Sequence, residues 1–82
     1  MKVAATPKLV EEKLVDAIVE LGAERDEVTR DATWEQLDID SLDLVELAQV
    51  AEEEFGVQLR PDDMKSIETV GQAIDWVAAR AS

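Results

Sequence analysis

The chain contains no cysteine and no histidine. Without cysteine there can be no disulfide and no thiolate metal ligand, and the redox compartment is left open. Without histidine the commonest general base is missing too, so a Ser-His-Asp arrangement cannot be assembled and intrinsic catalysis is not expected. Basic residues are scarce: 8 Lys and Arg stand against 20 Asp and Glu, a net charge of -12. That balance argues against a nucleic-acid partner, whose phosphates call for clustered Lys and Arg, and equally against an anionic membrane surface. The stretch from Met1 to Thr6 has one lysine and no long apolar run. It fits neither a signal peptide nor a membrane span, and a cytoplasmic protein is the expectation.

What is present is enough apolar material to fold. Hydrophobic residues make up 46% of the 82, which offsets the entropy of ordering in spite of the charge. A chain of this length supports one modest core, so a single domain over 1–82, acting as a monomer, is expected.

The apolar residues fall at helical spacing. Thr6 before Pro7 reads as an N-cap with proline in the first helical position, where its missing N–H is not needed. Val10, Leu14, Ala17, Ile18 and Leu21 then form a buried stripe, and Gly22 stops a helix of about 7–21. Residues 22–40 sustain no period. A connection this long in a small domain is functional or pinned by its own apolar side chains, here Val28, Trp34, Leu37 and Ile39. Trp34 is read as a core residue closing this loop, with an isolated helical turn near Thr33 to Leu37. The second helix, 41–55, buries Leu44, Leu47, Ala48, Ala51 and Phe55. Asp40 or Ser41 caps its start, and Gly56 closes its end with Val57 folding back. Pro61 allows only a short helix, 62–66, with Met64 and Ile67 available to plug the core. Thr69 and Gln72 match a capping box opening the last helix, 70–80, which buries Val70, Ala73, Ile74, Val77, Ala78 and Ala81 and leaves Trp76 partly exposed. The fold predicted is all-α, a small antiparallel bundle of three main helices plus one short helix.

The outward face of the second helix carries the unusual pattern. Leu42, Val45, Glu46, Gln49, Glu52 and Glu53 point away from the stripe, placing two apolar side chains among carboxylates. No lysine or arginine occurs from Asp31 to Leu59. Crowded like charges repel, and no i,i+4 partners of opposite sign relieve them, so attraction of a basic partner explains the face better than folding does. Asp38, Asp40 and Leu42 superficially imitate the start of a calcium loop. The sixth and twelfth positions, which require glycine and glutamate, are Asp43 and Gln49, and no metal site is assigned.

Leu37, Asp40-Ser41-Leu42-Asp43, Val45-Glu46-Leu47, Glu52-Glu53-Glu54-Phe55, Leu59, Pro61-Asp62-Asp63, Ile67 and Thr69-Val70 together resemble the acyl carrier proteins. The likeness runs from Leu14 to Val77. It implies that Ser41, which on position alone reads as a helix cap, carries 4′-phosphopantetheine delivered from coenzyme A by a phosphopantetheinyl transferase. It also implies that acyl groups ride on the arm as thioesters. Asp40, Leu42, Asp43, Val45, Glu46, Gln49, Glu52 and Glu53 would then meet basic patches on acyl transferases, ketosynthases and reductases. Leu44, Leu47, Ala48, Ala51, Phe55, Leu59, Ile67 and Ile74 would line the core or a groove for the acyl chain. Repulsion by Asp40 and Asp43 is expected to hold the arm out in solvent. Where many members have glycine this chain has Asp38. Carriers of amino acids have glycine- or histidine-rich residues before the serine, unlike Ile39-Asp40, so a fatty-acid or polyketide carrier is implied. The rival reading is an unmodified acidic helical module that binds a basic protein.

Overall fold

The computed structural model describes residues 6–81. The reading of Met1 to Thr6 therefore lies, Thr6 apart, outside the described residues. Four α-helices form the all-helical bundle that the spacing predicts: α1 (Pro7–Glu20), α2 (Ser41–Phe55), α3 (Pro61–Ser66) and α4 (Val70–Arg80). No β-strand occurs among the described residues, whose one isolated bridge joins Thr33 to Thr69.

Helix α1 is the hub, packing on both α2 and α4. Its Val10, Leu14, Ala17 and Ile18 meet Leu47 and Ala51 of α2 and Val70, Ala73, Ile74 and Val77 of α4 in a continuous core. Each large aliphatic side chain so buried contributes about 1.5–3 kcal/mol relative to exposure. Helix α3 buries none of its own residues. It is too short to present a stripe, and is held instead by Val57 before it and Ile67 after it, both buried. Met64 consequently does not plug the core as expected; it is half-buried at the surface of the bundle. Leu44, Ala48 and Phe55, read as inward-facing, are likewise only half-buried.

The helix ends follow the sequence signals with local differences. Thr6 Oγ1 accepts the Leu9 N–H at 3.2 Å. Gly56, at φ 69°, lets its own N–H reach the Glu52 carbonyl at 2.8 Å and brings the Val57 N–H back to Ala51 at 3.4 Å. At α4 every donor of the first turn is satisfied. Val70 donates to the Ala32 carbonyl (3.0 Å), Gly71 to Arg30 (2.9 Å), Gln72 to Thr69 Oγ1 (3.2 Å) and Ala73 to the Thr69 carbonyl (3.1 Å). A Cβ on Gly71 would stand 2.9 Å from the Arg30 oxygen, so glycine is what allows the loop to lie on this helix start. Gln72 does not complete the expected capping box with Thr69; its Oε1 accepts from the N–H one residue earlier, Glu68, at 2.7 Å.

The connection between α1 and α2 is pinned as its apolar residues require. Trp34, Leu37 and Ile39 are buried, Val28 is half-buried, and Trp34 Nε1 donates to the Ile67 carbonyl at 2.9 Å. The turn at Thr33 is closed by a reciprocal pair, Gln36 N–H to Thr33 Oγ1 and Thr33 N–H to Gln36 Oε1. A short 3-10 turn at Arg25–Glu27, which no period announces, is tied to α1 by Arg25 and Asp16 at 2.8 Å. Arg30 then clamps the loop to α4 through both Asp75 oxygens at 2.8 Å and reaches Glu11 at 3.7 Å. The hydrogen bond to Asp75, its charge and that of Glu11 together raise the Arg30 guanidinium above its ordinary pKa.

Asp38 occupies the position where the resemblance has glycine, and it alone among the described non-glycine residues has a positive φ, 56°. The left-handed region costs an L-residue about 1–2 kcal/mol, less for aspartate because its short side chain can bond locally. Asp38→Gly is therefore expected to raise stability by about 0.5 kcal/mol or more even after the added freedom of the unfolded chain, measured as a shift of the urea midpoint at constant m.

Candidate functional site

The start of α2 differs from that of α4. Asp40, not Ser41, is the cap: its Oδ1 accepts the Asp43 N–H at 3.0 Å and its carbonyl accepts the Leu44 N–H at 3.0 Å. Ser41 is the first helical residue and is exposed, and its hydroxyl has no hydrogen-bond partner among the described residues. The N–H groups of Ser41 and Leu42 likewise find no acceptor there. Aspartate wins the cap because its side chain leaves an extended residue, at ψ -174°, and can reach back over the first turn; a side chain already inside the helix cannot. The consequence is a free hydroxyl beside unsatisfied donors at the positive end of a helix dipole, an arrangement suited to an attached phosphate.

Below Ser41 runs an apolar groove of about 440 Å³, lined by Ser41, Leu44, Val45 and Ala48 of α2, Leu59, and Pro61, Met64 and Lys65 of α3. The residues expected to line the core or an acyl chain divide here. Leu44, Ala48 and Leu59 line the groove; Leu47, Ala51, Ile67 and Ile74 are buried in the core; Phe55 is half-buried against it. Pro61, Met64 and Lys65 were not read as site residues. Their signal was weak because α3 has too few residues for its period to show which neighbour it faces.

The outward face of α2 is built as its spacing predicts. Leu42 is 76% exposed and Val45 54% exposed, the exposed large hydrophobics of the described chain. Asp40, Glu46, Gln49, Glu52 and Glu53 are exposed around them, while Asp43, with its N–H held by the cap, is half-buried. Val45 belongs to both surfaces, standing at the lip of the groove as well as on the acidic face. Glu54 turns aside to pair with Lys13 of α1 at 3.4 Å.

A second, larger cleft of about 610 Å³ lies between α1, the loop and α4, where Glu11, Asp16, Arg25 and Arg30 face one another. Its cations are paired internally, Arg25 with Asp16 and Arg30 with Asp75 and Glu11, which leaves exposed Glu12 as its unpaired charge. Trp76 is half-buried with the Arg80 guanidinium 3.6 Å above its ring, a packing role consistent with the expected rim position. Beside the Ser41 hydroxyl the Asp40 carboxylate is engaged through Oδ1 with the Asp43 N–H.

Residues 12–77 match the protein family described as a phosphopantetheine attachment site. The acyl carrier protein of Porphyromonas gingivalis is 44% identical over 70 residues, spanning 83% of this chain and 90% of that protein.

Proposed function

The chain belongs to the acyl carrier protein family and is a carrier with a phosphopantetheine prosthetic group, not a catalyst; from this premise we propose that the group is attached at Ser41, in a single carrier domain serving fatty-acid or polyketide synthesis. The observation that carries the reading is the unengaged, exposed hydroxyl at the first residue of α2, set free because Asp40 takes the cap. In the loading step the Ser41 oxygen forms a new P–O bond, the pyrophosphate bond of coenzyme A breaks, and the adenine nucleotide leaves. The hydroxyl proton passes to a base on the phosphopantetheinyl transferase. When bound, the group supplies a terminal thiol on which acyl chains are held as thioesters. The groove formed by Leu44, Ala48 and Leu59 offers such a chain an apolar shelter beside its attachment point. The family match supports this reading over the rival, an unmodified acidic module.

The test is the intact mass after incubation with coenzyme A, Mg²⁺ and a broad-specificity transferase. A gain of one phosphopantetheine is expected; a folded sample that gains nothing overturns the assignment.

The same helix supplies the docking surface. Exposed carboxylates at Glu46, Glu52 and Glu53 speed encounter with basic patches on acyl transferases, ketosynthases and reductases, and salt screens that attraction over about 10 Å at 0.1 M. Leu42 acts after contact, by burying its side chain. Leu42→Ala is expected to weaken transferase binding about 5- to 30-fold, nearly all in the dissociation rate, as its loss of apolar area implies. Glu52→Lys is expected to slow association and flatten its salt dependence. Stopped-flow binding at several salt concentrations separates the two; equal effects on both rates would contradict the division of labour.

A further inference from the structure

The groove beside Ser41 is lined mostly by apolar side chains and by one cation. Lys65, in the last turn of α3, lines it together with Ser41 and Met64. Among the described cations Lys8, Arg60 and Lys65 join neither an ion pair nor an aromatic ring, and of these three it is Lys65 that lines the groove. Lys13 pairs with Glu54, Arg25 with Asp16, Arg30 with Asp75 and Glu11, and Arg80 is stacked on Trp76. Lys65 joins no ion pair among the described residues, although Asp62 lies three positions before it on the same helix. Asp63 is also unavailable to it in part, since its carboxylate accepts the Arg60 N–H at 3.1 Å.

A phosphodiester on Ser41 places a new negative charge between Asp40 and Asp43, where no Lys or Arg occurs from Asp31 to Leu59. The side facing the groove is the side on which that repulsion can be relieved. Resting on the assignment of the arm to Ser41, we propose that Lys65 is the counter-charge for this phosphodiester, a positioning residue that lays the arm along the groove between α2 and α3. A lysine suits the task because its long stem can follow the apolar lining while the ammonium stays in water. It binds phosphate as a mobile point charge and needs no fixed fork geometry. The pantetheine that follows the phosphate then runs past Met64 and Leu59. The outward push expected from Asp40 and Asp43 is thus opposed from the opposite wall, and the arm divides between a docked and an extended population.

The experiment compares the parent, Lys65→Gln and Lys65→Arg, each before and after loading, with intact mass confirming the arm. Methyl-labelled methionine gives a simple spectrum, because Met1 and Met64 are the methionines of the chain, and the Met64 methyl reports the groove. Loading is expected to move that signal in the parent. In Lys65→Gln the docked-to-extended ratio should fall about twofold to fivefold, the range for an exposed charge pair, and Lys65→Arg should restore it. Added salt should lower the ratio in the parent and leave Lys65→Gln nearly unchanged. A structural role for Lys65 would move none of these loaded-state differences while altering the unloaded spectrum. Equal Met64 shifts in all loaded proteins overturn this inference alone; a parent that gains no mass overturns the Ser41 assignment and this inference with it.

Discussion

Ser41→Ala is expected to accept no phosphopantetheine under conditions that load the parent fully, while its unfolding free energy stays within about 0.5 kcal/mol of the parent. The two halves of this result come from one geometric fact. The hydroxyl is exposed and bonds to nothing among the described residues, so removing it breaks no contact, and alanine is the best helix former for the position it leaves. Asp40 still accepts the Asp43 N–H and the helix still begins where it did. The converse variant separates the roles: Asp40→Ala removes the cap and should cost about 0.5–2 kcal/mol, yet leaves the serine in place as a transferase substrate. Intact mass with circular-dichroism melting reads both. Persistent loading of Ser41→Ala would move the attachment to another hydroxyl, such as that of Ser66 at the end of α3. A large loss of stability would instead show that the hydroxyl has a structural task.

Trp34→Ala should have the largest effect on stability. Trp34 is only 8% exposed and joins the loop to the residue after α3 through its indole N–H on the Ile67 carbonyl, 2.9 Å away. Truncating a buried aromatic of this size to alanine costs about 3–5 kcal/mol. At about 0.05–0.15 kcal/mol per residue the whole chain has about 4–12 kcal/mol in total, so the variant should lose a large share of its stability and melt well below the parent. Trp34→Phe tests the bond separately. It keeps most of the apolar contact but leaves the Ile67 carbonyl without its donor, for a cost of about 1–3 kcal/mol. Urea titrations followed by circular dichroism check both values, and a loss below about 1 kcal/mol for alanine would mean that the loop is held by other contacts. Function is involved as well, because the loop that carries Trp34 leads into Ser41 on one wall of the groove and Ile67 follows Lys65 on the other. The indole therefore fixes the spacing between the Ser41 end of α2 and the helix that faces it.

Much of this was legible in the residues. Helix spacing marked Val10, Leu14 and Ile18, or Leu47 and Ala51, as buried because a helix shows one face to its neighbour and the period is written over several turns. The acidic face of α2 was legible for the same reason, as was the stop at Gly56, where only a residue free of Cβ strain closes the helix cheaply. Short elements were not. The turn at Arg25–Glu27 and the facing of α3 involve too few residues for a period, and their placement follows from contacts with distant segments: Arg25 with Asp16, Ile67 with Trp34. Leu44, Ala48, Phe55 and Met64 are less buried than their spacing suggests, since periodicity tells which side a residue takes but not whether the element opposite is close enough to cover it.

The amino-acid order alone determined the class of fold, the identity of the serine at the head of α2 and the sign of the surface around it, because these depend on local chemistry and on charges that need no partner to be counted. Only the tertiary structure decided that a groove lined by both α2 and α3 opens beside the serine, that Lys65 is among its lining residues, and that Lys13, Arg25 and Arg30 are engaged elsewhere. Those are matters of distance between residues far apart in the chain, and distance is set by how α1 gathers α2 and α4 around one core.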